Sequence, residues 1–89
     1  MILPDQPALP PATSAAIAEE TRRIRRLQIV VRLALGIIAE GQLPYQEACE
    51  LVTATRRVAL TLFPDSHHTF DLLYAPKFRR LIAEVYRLH

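Results

Sequence analysis

The chain has 89 residues and contains few of the cysteines and glycines on which small disulfide-bonded folds and nucleotide-binding loops depend. It has one cysteine, two glycines and no tryptophan. The lone Cys49 cannot form an intrachain disulfide, which excludes a disulfide scaffold and favours a reducing compartment, so we expect a cytoplasmic protein. With Gly36 and Gly41 as its only glycines, the sequence also excludes a glycine-rich phosphate loop.

Long hydrophobic runs and an export signal are missing as well. The most apolar stretch, residues 27–38, contains Arg32 and is well short of the roughly 20 residues that a membrane-spanning helix needs. Residues 1–12 carry no positive charge, and their four prolines interrupt any apolar segment. We therefore predict neither a signal peptide nor a membrane partner.

Apolar side chains are abundant and make up 51% of the residues. This fraction is high enough to suggest that apolar surface is left over after one small core has formed, which points to self-association. The length allows a single domain without metal or disulfides. We place this helical domain at residues 13–89.

Residues 1–12 are predicted to be a proline-rich extended tail, because proline removes backbone donors and disfavours helix before it. The spacing Pro4-x-x-Pro7-x-x-Pro10 matches a polyproline II ligand, but Asp5 is the tail's one charged side chain and no flanking basic residue is present. The alternative is an arm that lies on the body of this or a neighbouring subunit.

Apolar residues recur at spacings of three and four through the rest of the chain, without the alternation of strands, so the predicted class is all-α. Thr13 or Ser14 is the candidate N-cap of the first helix. Gly41, Pro64 and Pro76 are residues at which helices commonly end or begin. We expect a small antiparallel helical domain of three to four helices, with one long N-terminal helix. The predicted helices span about 14–40, 45–63, 66–74 and 76–88.

The first helix carries two apolar faces when its residues are placed about 100° apart. One stripe is predicted to meet the second and fourth helices within the chain. A second group points to a largely different side, which becomes Arg22 and Arg26 toward the N-terminus. The first stripe comprises Ile17, Ile24, Leu27, Val31, Ala34, Leu35 and Ile38, and the second group comprises Ile29, Val30, Leu33 and Ile37.

Two arrangements would bury the second group: the other helices could flank the first helix within one chain, or a second copy could pack there. A helix of about 26 residues is roughly 39 Å long, which exceeds the diameter of about 30 Å expected for a domain of this size. Together with the apolar composition and the commonness of two-fold dimers, this favours a homodimer. Its predicted interface is Ile29, Val30, Leu33 and Ile37.

The densest charge cluster is Arg22, Arg23, Arg25 and Arg26. Arg22, Arg25 and Arg26 share a face and could bind phosphates, since guanidinium groups bind oxyanions bidentately. Glu19 and Glu20 can neutralise part of the cluster through pairs three and four residues apart. The net charge of +2 does not by itself indicate polyanion binding. A salt-bridged surface is the alternative interpretation.

No cluster of residues predicts a catalytic, metal or cofactor site. His67 and His68 are adjacent, so on a helix they point about 100° apart and cannot readily chelate one ion. Cys49 lies beside the apolar face of the second helix and is expected to be a small packed residue. No nucleophile motif or acid–base pair stands out.

The sequence therefore predicts a non-enzymatic protein–protein interaction or regulatory module that acts as a homodimer and has another protein as a possible partner. The first alternative is a nucleic-acid-binding regulator that uses the face of Arg22, Arg25 and Arg26. The second is a small-molecule-binding domain with a pocket between helices.

Overall fold

The computed structural model describes residues 11–65 and 67–87, with side chains from Ser14 onward. These residues form helices and their connections, and none of them lies in a strand. The predicted all-α class is confirmed for this part of the chain. The helices are α1 (Pro11–Ala39), α2 (Tyr45–Leu62), α3 (His67–Leu73) and α4 (Ala75–Tyr86).

The start of α1 differs from the prediction. The helix begins at Pro11, so Thr13 and Ser14 lie inside it and the proposed N-cap at these residues was wrong. Proline is compatible with the first turn of a helix, where backbone N–H groups have no intrahelical acceptor. Residues 1–10, which form most of the predicted tail, lie outside the described residues, as does Ser66.

The connection between α1 and α2 confirms the predicted role of Gly41. This residue has φ +72°, the left-handed conformation that glycine adopts without a steric penalty, and its N–H donates to the Ile38 carbonyl at 3.0 Å. Pro44 then precedes α2. The Tyr86 hydroxyl donates to the Leu43 carbonyl, which fixes the end of α4 against this connection.

The boundary between α3 and α4 lies at Tyr74, with Pro76 in the first turn of α4. It is one residue earlier than the predicted break at Ala75. Two aromatic rings cross the boundary: Phe70 of α3 stacks on Phe78 of α4, with centroids 6.3 Å apart and planes 24° apart. This contact joins the two short helices into one side of the core.

The core lies where α1, α2 and α4 meet. α2 runs back along α1, because Phe63, directly after α2, lies beneath the Arg23 guanidinium of α1 at 5.8 Å. Thr55 is the one buried polar residue among those described, and its hydroxyl donates to the Leu51 carbonyl at 2.7 Å. The buried apolar residues are Val31, Ala34, Ile38, Ala48, Ala59, Phe70, Phe78 and Ile82.

The predicted core stripe of α1 is buried only along part of the helix. Val31, Ala34 and Ile38 are buried, but Ile17 and Ile24 are exposed. Every side chain from Ser14 to Arg22 is exposed. The first turns of α1 therefore extend past the helices that cover its second half, as the length of the helix led us to expect.

One ion pair joins α2 to α3. The Arg56 guanidinium donates from Nε to Asp71 Oδ1 at 2.8 Å and from Nη2 to Oδ2 at 3.1 Å. These hydrogen bonds, together with the positive charge of Arg56, lower the pKa of Asp71. The stabilisation is therefore present above the ordinary pKa of an aspartate and is lost as the pH falls through the lowered pKa.

We expect Asp71→Asn to lower the urea midpoint of unfolding slightly at neutral pH and to have no effect at a pH where Asp71 is protonated. The effect is small because the Arg56 and Asp71 side chains are 40% and 45% exposed, so that solvent screens the pair. Urea titrations at both pH values measure it. Glu50→Gln, which neutralises an exposed carboxylate on α2, is the control and should show no comparable difference.

Candidate functional site

The predicted interface residues lie on an open face of α1. Ile29, Leu33 and Ile37 are exposed by 56%, 61% and 44% of their surface. Val30 lies at the edge of this face and is half-buried. Three large aliphatic side chains, each about one turn from the next, thus form a continuous apolar strip. We call Ile29, Leu33 and Ile37 the α1 strip.

The position of the α1 strip follows from the helical period. Leu33 is two residues from the buried Val31, so the two side chains point about 160° apart around the helix axis. α2 and α4 both pack on the Val31 side. Neither helix can also reach the opposite side of α1. Among the described residues, no other helix covers the α1 strip.

Polar and small residues border the strip at helical spacing. Arg26 lies one turn before it, and Glu40 lies just beyond its other end; both side chains are exposed. Gly36 is on the same face, and a Cβ placed there would meet no atom within 4 Å. The surface thus has an apolar centre, a basic end, an acidic end and free space beside Leu33.

The candidate polyanion-binding residues Arg22, Arg25 and Arg26 are all exposed near the strip's basic end. Arg22 donates to Glu19 Oε2 at 2.7 Å, and this hydrogen bond, aided by the charge of Arg22, lowers the pKa of Glu19. Arg23 instead lies over the Phe63 ring. Part of the positive charge near the strip is therefore balanced or packed within the chain.

The two adjacent histidines are exposed on α3, and their ring centroids lie 4.0 Å apart. Within residues 11–65 and 67–87, no three His, Cys, Asp or Glu side chains are grouped so that they could hold a metal ion.

An open groove with a volume of about 410 Å³ lies between α2 and α4. The sequence suggested a pocket between helices only as an alternative and did not locate it. Its lining is mostly apolar, and Arg79 contributes the one charged group. Its residues come from two different helices, so the groove depends on how α2 and α4 pack against each other. Its lining comprises Tyr45, Cys49, Val52, Ala75, Phe78, Arg79 and Ile82.

A second missed feature is Leu72, which is 75% exposed on α3. The sequence gives a weak signal for it, because a helix of seven residues makes only about two turns and is too short to show which of its apolar residues are buried. In the structure, Phe70 is the buried side chain of α3. Leu72 is therefore an exposed leucine away from α1.

Comparison of the chain with models of protein families, with curated proteins and with solved structures finds no match. Among the described residues, no helix has the combination of length and hydropathy that crossing a bilayer requires. Function is therefore inferred from the surface of the molecule itself.

Proposed function

We propose that this protein is a non-enzymatic protein–protein interaction module that acts as a homodimer, with Ile29, Val30, Leu33 and Ile37 at the interface. The observation that carries the proposal is the exposure of the α1 strip on a helix whose opposite side forms the core. Contiguous exposed apolar surface in small proteins commonly marks an interaction site. Since none of the described helices covers the second apolar side of α1, this side favours a partner outside the chain.

A second copy suits this surface because a two-fold axis brings the same patch of both chains together. Two copies contribute six aliphatic side chains from Ile29, Leu33 and Ile37. Because about half of each side chain is still exposed, completing its burial is worth roughly 0.7–1.8 kcal/mol, and association costs on the order of 4–15 kcal/mol. Because these quantities are comparable, each side chain of the strip matters for the affinity.

The proposed dimer presents helical surface, and the proline-rich segment before α1, to another protein. We place it in the cytoplasm, since its single cysteine cannot form an intrachain disulfide. The exposed Arg25 and Arg26 support a second candidate function, a nucleic-acid-binding regulator. The dimer would double the number of these arginines on one assembly.

Light scattering on the wild-type protein, from low to high micromolar concentration, tests the dimer. We expect the mass to approach twice the 10.1 kDa of one chain as concentration rises. A mass of one chain throughout would contradict the proposal.

Capture of partners from native lysate, with and without nuclease, tests the role of the dimer. Recovery of the same protein with and without nuclease supports the interaction module. Retention of nucleic acid that falls steeply as salt rises would instead support the regulator.

A further inference from the structure

We propose that two copies associate through antiparallel α1 helices, with the two-fold axis passing beside Leu33. This inference rests on the proposed homodimer and specifies its geometry. The axis brings Leu33 of one chain against Leu33 of the second copy. The positions of the charged residues Arg26 on α1 and Glu40 directly after it support this register over a parallel one.

The apolar residues of the face are symmetric about Leu33. In an antiparallel pair centred there, a residue a given number of positions before Leu33 faces the residue the same number after it on the second copy. Ile29 lies four positions before and Ile37 four positions after. Each exposed isoleucine therefore meets an exposed isoleucine of the other chain, and the two copies form one apolar seam.

The charged residues have the same symmetry with opposite sign. Arg26 lies seven positions before Leu33 and Glu40 lies seven positions after it; both are exposed. An antiparallel pair therefore sets each Arg26 against Glu40 of the second copy. A parallel pair in register would set Arg26 against Arg26 and Glu40 against Glu40, and both contacts would be repulsive. Charge complementarity thus selects the antiparallel arrangement.

A larger residue also meets a smaller one in this register. Gly36 lies on the same edge of the face as Ile29, and the space beside Gly36 is open. Ile29 of one chain can therefore occupy space next to Gly36 of the other. Seven-residue spacing of Arg26, Leu33 and Glu40 is also the repeat that keeps one seam facing a partner helix.

Cysteine crosslinking tests the register directly. In a Cys49→Ala background, chains with Ile29→Cys and chains with Ile37→Cys are oxidised separately and as a mixture. We expect a covalent dimer from the mixture and little from either chain alone. A mixture of Ile29→Cys with Leu72→Cys is the control and should not crosslink.

The outcomes separate this inference from the proposed function. Efficient crosslinking of Ile29→Cys with itself, in a chain that is dimeric by light scattering, would overturn the antiparallel register and leave the homodimer standing. Failure of the mixed chains to crosslink, in a protein that is dimeric by light scattering, would also overturn the antiparallel register and leave the homodimer standing. A wild-type chain that stays monomeric would overturn both.

Charge reversal gives a second test that needs no cysteine. We expect Arg26→Glu alone, or Glu40→Arg alone, to raise the dimer Kd on the order of tenfold, since two ion pairs become two repulsions. The double variant should regain the wild-type Kd. Arg57→Glu, which reverses an exposed arginine on α2, is the control and should leave the Kd unchanged. Single variants without effect would overturn the register, since a parallel pair exchanges one like-charge contact for another.

Discussion

Replacing Leu33 with glutamate is expected to convert the proposed dimer into a folded monomer. Leu33 lies at the proposed two-fold axis, so one substitution removes two leucines from the seam and sets two carboxylates against each other. Because 61% of the Leu33 surface remains to be buried in the dimer, loss of roughly 1–2 kcal/mol for each leucine raises the Kd by roughly 30- to 10³-fold before the repulsion is counted. This is the largest effect on assembly that we expect from a single change.

The monomer should remain folded because Leu33 is 61% exposed within one chain. Substitutions at exposed positions away from special features usually change the free energy of unfolding by about 0.5 kcal/mol or less, and glutamate is a good helix former. Light scattering reports the mass, and circular dichroism reports the helix content. Both should be measured on the same sample.

Leu72→Glu is the matched control for Leu33→Glu. It introduces the same change at a leucine that is 75% exposed on α3, so it should leave the dimer intact. Equal dissociation by both variants would show that the added charge, and not the α1 strip, is responsible. Unfolding of Leu33→Glu would show that this side of α1 is needed within the chain, contrary to its exposure.

Truncation of Phe78 to alanine is expected to have the largest effect on folding. Phe78 is 1% exposed, is one of the two largest fully buried side chains, and stacks on Phe70 across the boundary between α3 and α4. Phe→Ala in a protein core costs about 3–5 kcal/mol, through lost burial and the cavity left behind. The free energy of unfolding of small domains is about 5–15 kcal/mol in total, so this substitution would remove much of the stability.

Urea unfolding followed by circular dichroism measures this loss as a lower midpoint. Since dimerisation adds concentration-dependent stability, Phe78→Ala and the wild type should be compared at one fixed protein concentration. Leu73→Ala removes a similar kind of apolar side chain from an exposed position and is the control. A midpoint for Phe78→Ala close to that of Leu73→Ala would contradict the central place of Phe78 in the core.

The helical period explains what could be predicted from the sequence. Because positions three and four apart share a face, the pattern of apolar residues predicted the all-α class and the burial of Val31, Ala34 and Ile38. Gly41 was predictable because few other residues adopt a positive φ at the end of a helix. The exposed side of α1 follows from the same period once its opposite side is known to form the core.

Features that depend on contacts between distant residues were not predictable in this way. Arg56 and Asp71 are fifteen positions apart, and only the angle at which α3 packs on α2 brings them together. The groove beside Cys49 depends likewise on the packing of α2 against α4. The prediction at Thr13 and Ser14 was wrong for a local reason. Both residue types favour the N-cap position, but the helix already begins at Pro11.

The uncovered first turns of α1 determine the valency of the proposed assembly. Antiparallel helices centred on Leu33 direct their two starting ends away from each other. From Ser14 to Leu33 the helix rises about 28 Å, so the two Ser14 residues lie about 57 Å apart, at opposite ends of the dimer. A partner that binds the segment before α1 would meet two well-separated copies. Only a partner long enough to span that distance, or itself repetitive, would gain avidity from engaging both.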